Sequence, residues 1–371
     1  MREMKNACVI IGNGRYEYAS DDTNAVLNAF TEYGYAVDEI RYLINANEQK
    51  IRSSISEWKE EYDNLFVMAG KTRLFAIKNA ISGVFQEQSF HGDANGAGIF
   101  GEQEKTLFLL ALDSVEWGEE YAKTVCVPYL QKKSGVKRAR IVIRTVGANS
   151  MRVKSLIDRA KELDGGRITY LHTRRYDEDI IEILYGEDAP KMLVDDLLRL
   201  FADGLDGSVY AMDDTPLAEQ LITLLKLRGK KISVAESFTG GGIARKLTSV
   251  SGASEVYFEG LNTYNELSKI KRLGVSDYTL ATMGAVSDQA AYEMAAGLIA
   301  TGDCDISIAT TGIAGPKSDR SMQPVGLCYI AVGTKESIFV YRYKFDGRRK
   351  EITETAINYA LYQAYKHLKK I

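Results

Sequence analysis

Three consecutive glycines at residues 240–242 constrain the fold of this 371-residue chain more than any other feature of its sequence. A short run at 231–234, rich in β-branched residues, precedes them, and a helical pattern at 243–247 follows. This order predicts a strand, a tight turn and a helix, because glycine permits the backbone conformations of such a turn. The turn brings the hydroxyls of Ser237 and Thr239, with free backbone N–H groups, to a helix N-terminus that suits an anion or an oxyanion. From this segment alone, a simple helix cap is the commoner role for either hydroxyl.

Strands and helices alternate along most of the chain. A βαβαβ pattern over residues 7–69 predicts a mostly parallel sheet. A shorter α+β pattern follows, and a second α/β pattern begins after a boundary at 206–214. The predicted fold class is therefore multi-domain α/β. Its predicted parts are a parallel-sheet domain at 1–135, a small α+β module at 136–207 and an α/β domain at 213–371.

Composition excludes several functional classes. The net charge of −3 and the pI near 5.9 give no electrostatic reason to expect nucleic acid or an anionic membrane as partner. No apolar stretch is long enough to span a bilayer, and the N-terminus lacks a secretory pattern, so a cytoplasmic location is expected. The four cysteines are widely spaced in apolar runs and are expected to be reduced core residues. None of the three histidines lies near the glycine motifs, which argues against a Ser-His-Asp site or a metal site built on histidine.

Four segments of the last third combine residue types that suit acyl or phosphate chemistry. They are residues 235–241, residues 262–264 with Lys269 beyond them, residues 310–316 directly after a strand, and residues 345–349 at a helix start. Without a useful histidine, a serine nucleophile needs another base. A lysine whose pKa is lowered by burial can fill that role, and a tyrosine hydroxyl can relay protons. Ser237, Lys269 and Tyr264 supply this set.

Other groups in these segments suit substrate binding. Arg349 supplies a cation for a phosphate, and Thr311 with the N–H groups of 312–315 could hold an oxyanion or an anionic group. Each residue also has a plainer interpretation. Tyr264 could be a core side chain, Lys269 a solvated surface charge and Arg349 a helix-end charge that faces water. Taken one at a time, these plainer roles are the commoner ones.

The motifs in series resemble a known family. In sequence order they are A-E-S-x-T-G-G, T-Y-x-x-x-x-K, G-A-V-S, T-G-I-A-G-P, P-V-G and F-x-G-x-R. This series resembles the C-terminal domain of the competence/damage-inducible CinA family over roughly residues 215–371. That domain is a nicotinamide-nucleotide amidohydrolase, which converts nicotinamide mononucleotide to nicotinic acid mononucleotide and ammonia. Several motifs in order are far more specific than one glycine loop.

The resemblance implies roles for individual residues. Ser237 would be the nucleophile or its close equivalent, either forming a covalent ester or orienting a water molecule. Lys269 would be its general base and Tyr264 the residue beside it, without cofactor or metal. N–H groups near Gly240 or Gly312 would stabilise the oxyanion. Arg349 would bind the phosphate of a pyridine mononucleotide. The expected substrate-binding set is Thr239, Gly240, Gly241, Thr311, Gly312, Gly315 and Arg349. The family also implies a homodimer.

Some positions depart from the family pattern. Phe238 stands where the family commonly has cysteine. The lysine-bearing stretch is Y-N-E-L-S-K instead of Y-S-N-E-A-K, and the loop at 317–321 lacks the usual glycines. These differences bear on substrate fit more than on the catalytic set.

The first two segments resemble the full-length form of the same family. There, a molybdopterin-binding-like domain with pyrophosphatase activity precedes a small KH-like module. Here the glycine-rich phosphate loop with its paired aspartates is replaced by residues 70–75, which read G-K-T-R-L-F, and the L-P-G-V-P turn is replaced by residues 110–115. Metal-binding carboxylates are missing where the chemistry would need them. This domain is therefore expected to be non-hydrolytic and kept for assembly or regulation.

Three functional hypotheses follow. The preferred one is an amidohydrolase acting on a pyridine mononucleotide. The second is a nucleotide sensor or assembly protein that binds ligand at Arg349 without turnover. The third is a pterin-related binding protein acting through residues 1–135, against which the lost phosphate loop counts.

Overall fold

The computed structural model describes residues 4–12, 21–86, 96–101, 104–112, 115–318 and 322–370 of the chain. The chain falls into two compact units. The first contains Met1–Arg140, Gly166–Thr169 and Ile183–Pro190, and the second contains Ile141–Gly165, Tyr170–Glu182 and Lys191–Ile371. The predicted multi-domain α/β class is confirmed.

A mostly parallel sheet forms the centre of the first unit, as the alternating pattern predicts. Its strands are β1 (Asn6–Gly12), β2 (Glu39–Ile44), β3 (Asn64–Ala69), β4 (Gly98–Gly101) and β5 (Thr106–Ala111). The strand order is β2-β1-β3-β5-β4, and only β4 runs antiparallel to its neighbour. The helices are α1 (Asp21–Thr31), α2 (Glu48–Glu61), α3 (Lys71–Ser82), α4 (Val115–Tyr121) and α5 (Val127–Ser134), with a π-helical turn at Ala122–Cys126. Strands β1, β3 and β5 are buried along their whole length, as expected for a sheet covered on both faces.

Residues 90–101 are rich in glycine, which predicts a loop, but the structure contains the short strand β4 in this stretch. Ile99 and Phe100 are fully buried and pair with β5, although glycines flank them. Two apolar residues between glycines are too few to show a strand period, so the pattern hides this strand. The first part of the predicted loop, up to residue 95, lies outside the described residues.

A sheet with the order β7-β8-β6-β9 follows along the chain. Its strands are β6 (Arg138–Val146), β7 (Thr169–Arg175), β8 (Glu178–Gly186) and β9 (Val209–Ala211), and its helices are α6 (Ser150–Asp164) and α7 (Lys191–Gly204). Strand β9 pairs antiparallel with β6. It lies inside the stretch that the sequence analysis treats as a boundary, because three residues carry no readable period.

The last part of the second unit contains a mixed sheet between helices. Its strands are β10 (Ile232–Glu236), β11 (Tyr257–Asn262), β12 (Ile306–Gly312), β13 (Leu327–Gly333) and β14 (Ile338–Lys344). The helices are α8 (Leu217–Arg228), α9 (Gly242–Thr248), α10 (Glu266–Leu273), α11 (Asp277–Thr282), α12 (Asp288–Ala300) and α13 (Arg349–Lys370). The order is β11-β10-β12-β13-β14, with parallel pairing among the first three and antiparallel pairing among the rest.

The core of this part has two layers. Leu221 of α8 and Leu361 of α13 pack on one face of the sheet, and Met294 of α12 packs on the other. The three parallel strands therefore end together between helices. In open α/β sheets, ligands bind outside such carboxyl ends, at the point where the strand order reverses. Here that point is β10, which lies between β11 and β12.

All four cysteines are buried and free, as predicted. Across the described ranges, no helix is both long enough and apolar enough to cross a membrane.

Candidate active site

Ser237 is the first residue after β10, at the carboxyl end of the parallel strands. Its N–H donates to the Thr310 carbonyl of β12 (3.0 Å), and its own carbonyl accepts the N–H of Gly240 (3.0 Å). Its side chain is nearly buried. These two backbone bonds fix the start of the glycine turn, so the Ser237 hydroxyl has a defined position at the edge of the sheet.

The side chain of Glu236 caps the N-terminus of α9. Its buried carboxylate accepts the N–H groups of Gly241 (3.1 Å), Ile243 (3.1 Å) and Ala244 (2.8 Å). The plainer interpretation of Ser237 or Thr239 as a helix cap is therefore wrong, because a carboxylate from the preceding strand already accepts the N–H groups of the helix. Gly241 makes this arrangement possible, since its φ of 90° is a conformation that other residues rarely adopt.

The same bonds change the predicted oxyanion site. The N–H groups of Gly240 and Gly241 are both used inside the protein, by Ser237 and Glu236 respectively. Gly312 is different. The next residue, Ile313, donates its N–H to Leu327 of β13 (2.9 Å), and Gly312 lies opposite Cys328 in the same register. Because N–H directions alternate along a strand, the Gly312 N–H is directed away from β13, toward the side where Ser237 lies.

Lys269 is buried beside Ser237. It lies on α10 with only 1% of its surface exposed. Its Nζ donates to Ser237 Oγ (2.9 Å) and to the carbonyl of Thr263 (2.6 Å). Burial lowers the pKa of Lys269 from 10.5 to about 8, against a smaller opposing effect of Glu266. The interpretation of Lys269 as a solvated surface charge is therefore wrong.

The backbone explains why this lysine reaches the serine. The N–H of Thr263 donates to the Glu236 carbonyl (2.8 Å), which extends the parallel pairing one residue beyond β11. Asn265 then caps α10 by accepting the N–H of Leu267 (2.9 Å). The chain thus turns directly from the sheet edge into a helix whose first turn carries Lys269 back over Ser237.

Tyr264 and Arg349 form a second pair. The Tyr264 side chain is 61% exposed, so its interpretation as a core residue is wrong. Arg349, the first residue of α13, donates through Nη2 to the Tyr264 hydroxyl (2.9 Å) and through Nη1 to the Gly315 carbonyl (2.8 Å). Among the described contacts, Tyr264 has no hydrogen bond to Ser237 or Lys269. The structure therefore groups the tyrosine with the predicted phosphate-binding residues.

The predicted threonines have partners of their own. Thr239 Oγ1 and Thr310 Oγ1 form a buried hydrogen bond (2.8 Å) between the glycine turn and β12. Thr311 Oγ1 donates to the Ala285 carbonyl (2.6 Å), within the G-A-V-S motif. Successive strand residues face opposite sides of a sheet, so only one of the two β12 threonines can face the turn. That residue is Thr310, which the sequence analysis did not select.

The structure adds three residues to the candidate site: Glu236, Thr263 and Thr310. A signal for Glu236 exists in the sequence, because an acidic residue just before a glycine turn and a helix suits the positive helix end. The carbonyl of Thr263 leaves no sequence signal, since any residue has one. Groups of three or more histidine, cysteine, aspartate or glutamate side chains that could hold a metal do not occur among the described residues.

Known proteins resemble this chain over both the site and the segments before it. The family model described as "CinA C-terminal domain" matches residues 214–368. A putative competence-damage inducible protein of Caldicellulosiruptor saccharolyticus is 35% identical over 273 residues, which is 73% of this chain and 66% of the relative. A CinA-like protein of Kosmotoga olearia is 32% identical over 286 residues, 74% of this chain and 66% of the relative. The chain thus spans slightly less than two thirds of the length of these two relatives.

A solved structure is also similar to part of the chain. It is the competence/damage inducible protein CihA from Agrobacterium tumefaciens, at 37% identity and a TM-score of 0.40, covering 41% of this chain and 93% of that one. The motifs of the candidate site fall inside the range of the matching family model. The chain belongs to the competence/damage-inducible CinA family.

Proposed function

We propose that the second unit hydrolyses the carboxamide of a pyridine mononucleotide, with nicotinamide mononucleotide as the expected substrate. The observation that carries this proposal is the buried bond of 2.9 Å between Lys269 Nζ and Ser237 Oγ. A lysine with a pKa of about 8 has a substantial neutral fraction near neutral pH, and the neutral amine can accept the serine proton.

The reaction would proceed in two halves. Lys269 takes the proton of Ser237 while Oγ forms a bond to the carboxamide carbon. The tetrahedral intermediate then collapses, the C–N bond breaks, and Lys269 returns the proton to the departing ammonia. Water next attacks the ester carbon and gives its proton to Lys269. The C–Oγ bond breaks, and Ser237 recovers its proton from Lys269. We assign the N–H of Gly312, which is directed toward the side of Ser237, to stabilise the oxyanion in both halves.

The binding end of the site would be Arg349 with Tyr264. The guanidinium holds a fixed positive charge, and its bonds to Gly315 and Tyr264 orient it. A mononucleotide phosphate accepts hydrogen bonds from a guanidinium and from a tyrosine hydroxyl. Because Tyr264 bonds to Arg349, we assign it to substrate binding in preference to the proton relay of the sequence hypothesis. Thr311 and Gly315 remain in the proposed binding set as structural supports.

The direct test is ammonia release from nicotinamide mononucleotide by the purified protein, beside Ser237→Ala and Lys269→Met. Both variants should lose at least about 99% of kcat, the typical cost of removing a nucleophile or a general base. Lys271→Met is the matched control, since Lys271 is an exposed lysine on the same helix. Wild-type protein that binds the nucleotide in calorimetry but releases no ammonia would support the sensor hypothesis instead.

A further inference from the structure

Gly242, the third glycine of the run, has a role that the glycine turn does not explain. Gly240 and Gly241 adopt positive φ angles of 62° and 90°, which favour glycine. Gly242 is the first residue of α9 and does not have a positive φ. Within a helix, alanine is more favourable than glycine. The backbone therefore gives no reason for a glycine at position 242.

The packing of α9 against α13 does give a reason. A Cβ atom on Gly242 would lie 2.3 Å from Ile357 Cδ1 and 3.3 Å from Ile357 Cγ1, both closer than ordinary van der Waals contact. Ile357 belongs to α13, is 1% exposed and packs in the same core cluster as Ile243 of α9. Because a protein core is close-packed, the Ile357 methyl could move only by displacing its neighbours. The missing side chain at 242 therefore allows α13 to lie directly against the start of α9.

Polar contacts hold the two helices together at this distance. Lys246 of α9 donates to Asn358 Oδ1 of α13 (2.7 Å) and lies 3.7 Å from the Glu354 carboxylate. Asn358 is 4% exposed, and its Nδ2 donates to the Tyr176 carbonyl (3.0 Å) in the turn between β7 and β8. A shift of either helix along the other would therefore break hydrogen bonds of a buried amide.

The two helices carry opposite ends of the candidate site. Helix α9 is joined to the turn of the proposed nucleophile, because the Gly242 N–H donates to the carbonyl of Thr239 (3.1 Å), which lies shortly after Ser237. Helix α13 begins with Arg349, and Ile357 lies about two helical turns further along it. The contact between Gly242 and Ile357 therefore sets the spacing between the serine and the guanidinium.

We propose that Gly242 is a positioning residue whose missing side chain sets the spacing of Ser237 and Arg349, and thereby the length of the substrate. This inference rests on the proposed function. In a pyridine mononucleotide a single ribose separates the pyridine ring from the phosphate, so both ends bind at once only when the spacing fits. A wider spacing keeps the carboxamide at Ser237 and takes the phosphate out of hydrogen-bonding distance of Arg349.

The test is steady-state ammonia release from nicotinamide mononucleotide by the full-length protein and its Gly242→Ala variant. KM should rise roughly tenfold, the affinity that one charge-assisted hydrogen bond contributes. The kcat value should stay within about threefold of the wild type, the pattern expected when only substrate binding is weakened. Lys269 lies on α10, and its bond to Ser237 does not involve α13.

A second substitution tests whether the Ile357 methyl is responsible. Ile357→Val removes Cδ1, the atom that the new Cβ would meet at the shortest distance. The double variant Gly242→Ala with Ile357→Val should therefore return KM to within about threefold of the wild-type value. Ile357→Val alone should also leave KM in that range, since it removes a methyl without adding a clash.

Gly204→Ala is the matched control. Gly204 is the last residue of α7, and a Cβ atom added there would lie 2.5 Å from Leu156 Cδ2 of α6. This substitution creates an equally close contact between two helices that pack on a different sheet. It should lower the melting temperature and leave KM unchanged.

An unchanged KM in Gly242→Ala would overturn the inference, as would a raised KM that Ile357→Val does not correct. A loss of kcat at unchanged KM would also overturn it, because the glycine would then affect the chemistry and not the spacing. Wild-type protein that releases no ammonia would reject the proposed function itself.

Discussion

Lys269 determines how the proposed activity should depend on pH. Only the neutral amine can take the Ser237 proton, and burial lowers the pKa of that amine to about 8. We expect kcat/KM to rise about tenfold per pH unit below pH 8 and to level off above it. Steady-state ammonia release between pH 6 and 10 measures this profile. A flat profile across pH 7–9 would exclude Lys269 as the base.

The same lysine makes a prediction about stability. Between about pH 8 and 10.5 the unfolded chain binds a proton on Lys269 that the folded chain has lost, so the free energy of unfolding rises with pH across this window. Below pH 8 the folded chain retains the full cost of the shift, about 3 kcal/mol. Lys269→Met should therefore be more stable than the wild type at pH 7, with the advantage shrinking toward pH 10.5. Urea unfolding at pH 7 and pH 10 tests the sign, and an equal difference at both pH values would contradict it.

The residue types of the site could be predicted from sequence, but their pairings could not. Motif spacing led to Ser237, Lys269, Tyr264 and Arg349. The spacing does not show which side chains are in contact. Tyr264 and Lys269 belong to the same segment, yet their side chains face different environments. One is largely exposed against Arg349, and the other is buried against Ser237. A helical turn separates them, and only the packed structure fixes the direction of each.

At the scale of elements, the turn from β10 into α9 depends on one carboxylate. Glu236 accepts three N–H groups at the start of α9, and glutamine would replace one accepting oxygen with a donor. We expect Glu236→Gln to lower the free energy of unfolding by about 2–3 kcal/mol, the usual value of bonds to a buried charge. Chemical denaturation measures this change in the free energy of unfolding.

Glu219→Gln provides the comparison for that variant, because Glu219 is an exposed acid in the first turn of α8. It should change stability by less than about 0.5 kcal/mol. Equal midpoints for the two variants would show that the carboxylate of Glu236 is not needed to close the turn.

The longer elements follow from sequence because burial imposes a period on them. Strands β1, β3, β10 and β12 consist almost entirely of buried residues, and the sequence predicts strands there, at 7–11, 64–69, 231–234 and 305–310. Strands β4 and β9 are not predicted by the sequence, since each is only a few residues long and is held by pairing with another strand. Long-range pairing of this kind leaves no local pattern.

At the scale of the whole molecule, the first unit is expected to lack hydrolytic activity. Its helix α3 starts directly after β3 and has no acidic residue in its first turn, where the family's metal-dependent chemistry would need carboxylates. Incubation of the full-length protein with a nucleotide pyrophosphate and Mg²⁺ or Mn²⁺ should give no mononucleotide above the blank. Metal-dependent release that survives Ser237→Ala would show that the first unit is active after all.

The division into compact units was harder to predict than the fold class. Sequence patterns indicate segments at 1–135, 136–207 and 213–371, whereas the structure contains two compact units whose boundaries fall within strands β6, β7 and β8. These strands bring together segments that are far apart in sequence, so the compact units follow contacts between residues and not sequence order. The three segments therefore remain a sequence-based prediction.

The N-terminus of α9, capped by Glu236, also affects how strongly the site would bind the product. Because Glu236 accepts the amides of α9, this helix end contributes no free N–H to the reacting end of the site, while the far end has the permanent charge of Arg349. The site thus suits a ligand with an anionic phosphate at one end and an uncharged carboxamide group at the other. The proposed reaction converts that carboxamide into a carboxylate, which the site binds weakly wherever Lys269 is neutral. Above pH 8, where Lys269 is neutral, the product should bind most weakly, so we expect product inhibition to decrease.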